Sequence, residues 1–193
     1  MCIDTDNIRK NKFKVVIDCV NGAGSFILPM LCEKLGCEVI TINCNGNGDF
    51  TRTPEPLAEN LNELEKKVIN VKADVGFATD PDGDRLSIIS NKGNAIGEEY
   101  TLVLAVKNYL NDQKSKLATN LSTSMMLESI ANETIRTKIG EAHVVQKMNE
   151  LNIPIGGEGN GGVILKEVHL GRDSLVAISM ILSLLSSSGK SIS

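Results

Sequence analysis

Apolar residues in this chain fall into two alternating modes, short β-branched runs and longer stretches with helical spacing. Phe13 to Cys19 is a β-branched run, Ser25 to Leu35 follows with helical character, Gly36 stops it, and Cys37 to Asn43 returns to a strand pattern. This order predicts a βαβ unit. Asn43 to Pro56 is rich in Asn, Gly, Thr and Pro and is expected to be a long surface loop. After it, Leu57, Leu61, Leu64 and Val68 fall on one helical face. Ala73 to Thr79 and Leu86 to Ser90 have the composition of buried strands, and the second turns back at Asn91-Lys92-Gly93-Asn94 in the manner of a hairpin.

A second cycle starts near Gly97. Glu98 to Leu110 predicts a helix that is apolar on most sides, and Lys116 to Leu121 a strand. Ser122 or Thr123 is placed to cap a helix running through Ala131. Glu133 to Lys138 is a short strand, Glu141 to Leu151 a helix, Ile153 to Gly157 a strand, and Asp173 caps a long final helix to Ser188. Two units of nearly equal length result, 1–96 and 97–193. Each is expected to be a layered α/β domain with a mainly parallel, mixed sheet. No repeat in the sequence relates them.

Composition narrows the function only by exclusion. The 193 residues carry a formal charge of −4 and no basic run, which argues against a general nucleic-acid surface. With no Trp, two Tyr and four Phe there are few platforms for stacking, so recognition should rest on hydrogen bonds. The longest apolar run, Leu175 to Leu185, is broken by Ser179 and Ser183 and is too short to span a bilayer. Cys2, Cys19, Cys32, Cys37 and Cys44 form an odd set without a Cys-x-x-Cys pair, as expected of a reduced, cytoplasmic protein.

The chemistry is concentrated in Asp80-Pro81-Asp82-Gly83-Asp84-Arg85. Three carboxylates at alternate positions on a loop turned by Pro and Gly can converge on one point, and such a set needs a divalent cation to offset its own repulsion. Mg2+ is the expected ion. A calcium loop of the EF-hand kind is excluded, because Arg85 stands where Gly is needed, Asn91 where Glu is needed, and the flanks are strands.

A second polar loop, Gly156-Gly157-Glu158-Gly159-Asn160-Gly161-Gly162, leaves its backbone open to close approach and projects one carboxylate and one amide. Glu158 and Asn160 suit sugar hydroxyls. Asn21-Gly22-Ala23-Gly24-Ser25 lacks the third glycine of a dinucleotide fingerprint, since Ile27 stands there, and is expected to be a tight strand-to-helix turn.

Taken in order, the hexapeptide, Thr137-Lys138-Ile139-Gly140-Glu141, Gly157 to Gly162 and Gly171-Arg172-Asp173 resemble the α-D-phosphohexomutase superfamily. The supporting phrases are Asp18 to Gly24, Pro54-Glu55-Pro56-Leu57 and Gly97-Glu98-Glu99-Tyr100. The similarity runs from about Phe13 to Ser188 and is nearest to the phosphoglucosamine mutase and phosphomannomutase branch. It implies phosphoryl movement between O1 and O6 of a hexose phosphate through a phosphoserine and Mg2+. It also implies Asp80, Asp82 and Asp84 as metal ligands, Arg85 as the catalytic cation beside the phosphoryl group, and Glu158, Asn160 and Lys138 as substrate-binding residues.

Members of this superfamily have four domains, and the chain resembles only the middle two. The Thr-Ala-Ser-His-Asn-Pro type serine loop and the Arg-x-Ser-Gly-Thr phosphate loop are absent from these residues, so a fragment that depends on its missing flanking domains is expected to be inactive alone. Many relatives have His where Gly162 stands. His143 and His169 do not match that position, and the general base is left unassigned. The competing expectation is a non-catalytic sugar-phosphate or metal-binding module.

Overall fold

The computed structural model describes residues 2–111 and 115–193. Its first half holds α1 (Thr5–Asn11), β1 (Lys14–Asp18), α2 (Gly24–Lys34), β2 (Glu38–Ile42), α3 (Asn62–Val71), β3 (Val75–Thr79) and β4 (Leu86–Ser90). The second half holds α4 (Glu99–Leu110), β5 (Lys116–Asn120), β6 (Glu133–Thr137), α5 (Glu141–Glu150), β7 (Ile155–Glu158), β8 (Gly162–Leu165) and α6 (Ser174–Ser188).

The strands form two four-stranded sheets with one topology used twice. Their orders are β2-β1-β3-β4 and β6-β5-β7-β8, and in each the last strand alone is antiparallel. The two loops singled out from the sequence are therefore equivalent turns: the acidic hexapeptide joins β3 to β4, and the glycine-rich run joins β7 to β8. Both leave the carboxyl ends of parallel strands, where open α/β sheets bind ligands.

Layering follows from which faces are apolar. Leu61, Leu64 and Val68, predicted to share a helical face, are buried against Val16, Ala78 and Ile89 on one side of the first sheet. Each such aliphatic side chain stabilises the fold by about 1.5–3 kcal/mol. α5 covers the outer face of the second sheet through Val144 and Met148, which meet Ala118 and Ile164. Between the sheets lie α4 and α6, packed on each other and on β4, β7 and β8. Ala177, Ile178, Met180, Ile181 and Leu182 of α6 are all fully buried there, and one apolar cluster runs from Val15 and Phe77 through to Ile155 and Leu185.

One local expectation needs correction, and two elements lie outside the expectations. The helix expected from Ser122 or Thr123 through Ala131 is only a 3-10 turn, Met125–Ser129, capped by Ser124. Ser122 and Thr123 instead donate from backbone and hydroxyl to Asn120 Oδ1, so their polar groups hold the end of β5 and do not start a helix. α1 and β8 were not anticipated. The hairpin-like return at 91–94 is present, with Ser90 N–H donating to Asn94 O (2.9 Å) and Ile89 bridging Ala95.

Candidate cation and sugar site

Local chemistry dictates the shape of the acidic loop. Gly83 adopts φ +77°, a conformation open to glycine, which reverses the chain so that Gly83 N–H reaches Asp80 O (3.3 Å). Asp80 is 0% exposed. Its Oδ1 accepts the Arg85 N–H (3.1 Å) and its Oδ2 accepts Arg85 Nε–H (2.5 Å). Asp82 is exposed and Asp84 half-buried, and one oxygen from each of the three carboxylates lies within 4.8 Å of the others. The sequence expectation of convergent carboxylates is met in the geometry.

That crowding shifts their acidity. Burial, then the charge of Asp80, pushes the Asp84 carboxyl up to about 6 against the opposing pull of Arg172. Burial acts on Asp80 too, but the hydrogen bonds and charge of Arg85 outweigh it and hold Asp80 below its ordinary value.

Two neighbouring segments brace the loop from below. At the Asn21-Gly22-Ala23-Gly24 turn, Ala23 N–H donates to Pro81 O (2.7 Å), and a Cβ on Gly22 would sit 2.4 Å from that same oxygen. The glycine is there because the hexapeptide rests on it. Asp18, 1% exposed at the end of β1, pairs with Arg52 Nε (3.1 Å), and Arg52 Nη2–H donates to Thr79 O (3.0 Å), the residue before Asp80. Arg52 thereby pins the long 43–57 loop to the root of the acidic loop.

Across the interface stands Glu158, 4% exposed. Its Oε1 accepts Asn120 Nδ2–H (2.6 Å) and Gly140 N–H (3.1 Å), and its Oε2 accepts Arg172 Nη1–H (2.8 Å). Asn160 is half-buried, and its Oδ1 accepts Gly162 N–H (3.3 Å). Lys138 is exposed at the rim, on the segment whose Gly140 holds Glu158.

The two loops touch directly. Leu86 N–H donates to Gly161 O (3.1 Å), Ser174 Oγ–H donates to Gly83 O (2.6 Å), and Arg172 Nη2–H donates to Asp84 Oδ2. Asp80, Asp82, Asp84, Arg85, Glu158 and Asn160 thus share one region, with Lys138 at its edge.

Arg172 lies in a sequence motif that assigns it no role, and Asn120 and Arg52 lie outside the motifs. Arg172 was findable only as a charged residue beside a helix cap, because its partner Asp84 is 88 positions away. Its stem also explains Gly162, where a Cβ would meet Arg172 Cδ at 2.2 Å.

The donor set fits a hard divalent cation. Three carboxylates, Asp80, Asp82 and Asp84, bring one oxygen each into one small space, and oxygen-only ligation of this kind suits Mg2+. A groove of about 820 Å³ between α4, α6 and the C-terminal segment has no acidic residue in its lining, so charge and not concavity locates the site. Among the described residues no helix is long and apolar enough to cross a membrane.

Two layered α/β domains of one topology, with an acidic loop abutting a polar glycine turn, define the class. The chain belongs to the phosphoglucomutase/phosphomannomutase family, matching the models of its alpha/beta/alpha domain II over residues 1–93 and domain III over residues 97–193. It is similar to a phosphoglucomutase/phosphomannomutase of Thermococcus kodakarensis, 38% identical over 99% of this chain and 43% of that protein. It also resembles a phosphoglucosamine mutase of Histophilus somni, 31% identical over 92% and 41%. A crystal structure of a family protein from Burkholderia thailandensis superimposes with TM-score 0.82 at 26% identity, covering 95% of this chain and 43% of that one. The chain spans less than half the length of these relatives.

Proposed function

We propose that the chain is the central, cation- and sugar-binding half of a phosphohexomutase, an enzyme that moves a phosphoryl group between O1 and O6 of a hexose phosphate. The observation that carries this reading is the seating of the Asp80-Asp82-Asp84 loop against the Glu158 turn by Arg172, Gly161 and Ser174. Residues 1–96 would form the cation unit and 97–193 the sugar unit.

Asp80, Asp82 and Asp84 would hold Mg2+, which when bound supplies positive charge against phosphoryl oxygens. Arg85, held to Asp80 by two hydrogen bonds, keeps a fixed cation beside the loop. Glu158 is locked in one orientation by three donors, so it can present the one lone pair left on Oε2 to a sugar hydroxyl without a rotamer search. Asn160 gives and accepts beside it, and Lys138 at the rim supplies a mobile charge for a phosphate. The phosphoserine loop and distal phosphate loop have no counterpart among these residues, so turnover requires them from flanking domains. Five free cysteines accord with a reducing, cytoplasmic setting.

Isothermal titration tests the assignment. Asp82→Asn should weaken Mg2+ binding at least about tenfold with little change in thermal midpoint, because Asp82 is exposed and its loss removes a ligand without opening the core. Equal affinity for both proteins would remove the cation from this loop. The chain alone should not convert hexose 1-phosphates to 6-phosphates, and turnover with a phosphoserine mapped to one of its own serines would overturn the proposed division of labour.

A further inference from the structure

Arg172 occupies the space between the two loops, and each of its three guanidinium nitrogens donates to a carboxylate. Nη2–H donates to Asp84 Oδ2, Nη1–H to Glu158 Oε2 (2.8 Å) and Nε–H to Glu141 Oε2 (3.1 Å), while its backbone N–H takes Glu141 Oε1 (3.1 Å). The side chain is 16% exposed. A guanidinium is a rigid planar fork, so these contacts are not independent: a move of Asp84 is felt at Glu158. Its stem lies over Gly162, where a Cβ would crowd Arg172 Cδ as the side chain now stands. Asp84 has a second claim on it, as one of the three convergent carboxylates. A divalent cation drawing on Asp84 competes with Arg172 for the same group, and the two positive charges repel one another.

Resting on the cation reading above, we propose that Arg172 is a positioning residue that couples the two loops. It holds Asp84 back from the cation until an anionic oxygen of the ligand takes its Nη2 edge. Glu141 and Glu158 keep the guanidinium in place when Asp84 leaves, so the freed edge faces the interface and does not swing into solvent. Cation and phosphate ester then bind cooperatively. The coupling is reciprocal, with each ligand raising the affinity for the other by the same factor.

The test is isothermal titration of the 193-residue chain with Mg2+, alone and with saturating glucose 1-phosphate, for wild type, Arg172→Met and Arg172→Lys. In the wild type the ester should tighten Mg2+ binding by roughly fivefold or more. Arg172→Met should bind Mg2+ alone about tenfold more tightly than wild type, the effect of deleting one unit charge beside a divalent ion even in a water-like dielectric. In that variant the ester should add nothing. Arg172→Lys keeps the charge without the fork and should tighten Mg2+ binding by less, with a reduced ester effect.

A residue that merely supports the fold would weaken Mg2+ binding when removed, so equal or lower affinity in Arg172→Met overturns the inference. If that variant does not fold, unchanged Mg2+ affinity and an undiminished ester effect in Arg172→Lys overturn it instead. Wild-type binding that Asp82→Asn abolishes but Arg172→Met fails to tighten sinks the coupling alone. No Mg2+ binding by any variant, with or without ester, sinks the cation reading and the coupling with it.

Discussion

The closest backbone approach beneath the acidic loop gives a sharp mechanical test, Gly22→Ala. The added methyl would lie 2.4 Å from Pro81 O, 2.7 Å from its Cα and 2.9 Å from its carbonyl carbon, where ordinary contact begins near 3.4 Å. Pro81 must therefore retreat by about 1 Å, since a backbone segment cannot rotate away as a side chain can. The retreat strains the bond from Ala23 N–H to Pro81 O. Overpacking costs about 1–3 kcal/mol and the weakened hydrogen bond about 1 more, so a loss of ~2–4 kcal/mol is expected. Gly22 lies outside the left-handed region, so alanine tests the contact and not a forbidden dihedral. Asp80 and Asp82 flank Pro81, and a shift of this size far exceeds the ~0.2 Å tolerance of a metal ligand, so Mg2+ affinity should fall as well. Urea unfolding followed by circular dichroism, with a parallel Mg2+ titration, measures both. A stability change under about 0.5 kcal/mol with unaltered Mg2+ affinity would refute the claim that the glycine turn supports the cation loop.

Two further expectations concern charge. Mg2+ affinity should be level above about pH 7 and fall roughly tenfold per unit below pH 6, because the proton that burial and Asp80 keep on Asp84 must leave before ligation; titration across pH 5–8 shows it, and Asp84→Asn should flatten the slope. The same raised value acts on folding: Asp84 contributes stability that is complete below its unfolded value near 3.9 and is lost as pH rises through about 6. Without cation, the Asp84→Asn chain should lose less stability between pH 5 and 7 than wild type, as thermal melts at both pH values would show. Arg52→Met leaves the 1% exposed Asp18 without its counter-charge and should cost about 3–5 kcal/mol in urea unfolding, whereas a loss below about 1 kcal/mol would mean that the 43–57 loop is held by other contacts.

Alternation of β-branched runs with helical spacing disclosed the layered α/β class, because the buried faces of α3 and both sheets are written in Leu61, Leu64, Val68 and the Val and Ile strands. What escaped was short or long-range. α1 buries only Ile8, too little for a periodic signal, and its N-cap is Asp4, whose Oδ1 accepts Asn7 N–H (3.0 Å). β8 is four residues beside a glycine run and exists only because β7 offers it an edge. The shared topology of the two halves resides in hydrogen-bond pattern, which different side chains can satisfy equally, so residue identities did not reveal it. In the site, adjacent carboxylates were legible from spacing. The Arg172 bridge was not, since no local feature states which distant anion a guanidinium will meet.

The apolar cluster that threads both sheets limits how this protein can be divided. Cutting the polypeptide between residues 93 and 97 would strip α4 and α6 from β4, uncovering Leu86 and Ile88 on one piece and part of the apolar face of α6 on the other. Each piece would then show apolar surface that the other now covers. Gene fusions, domain swaps or split reporters built on this scaffold would do better to take the two halves together, as a single hereditary block, than to trade one without its companion.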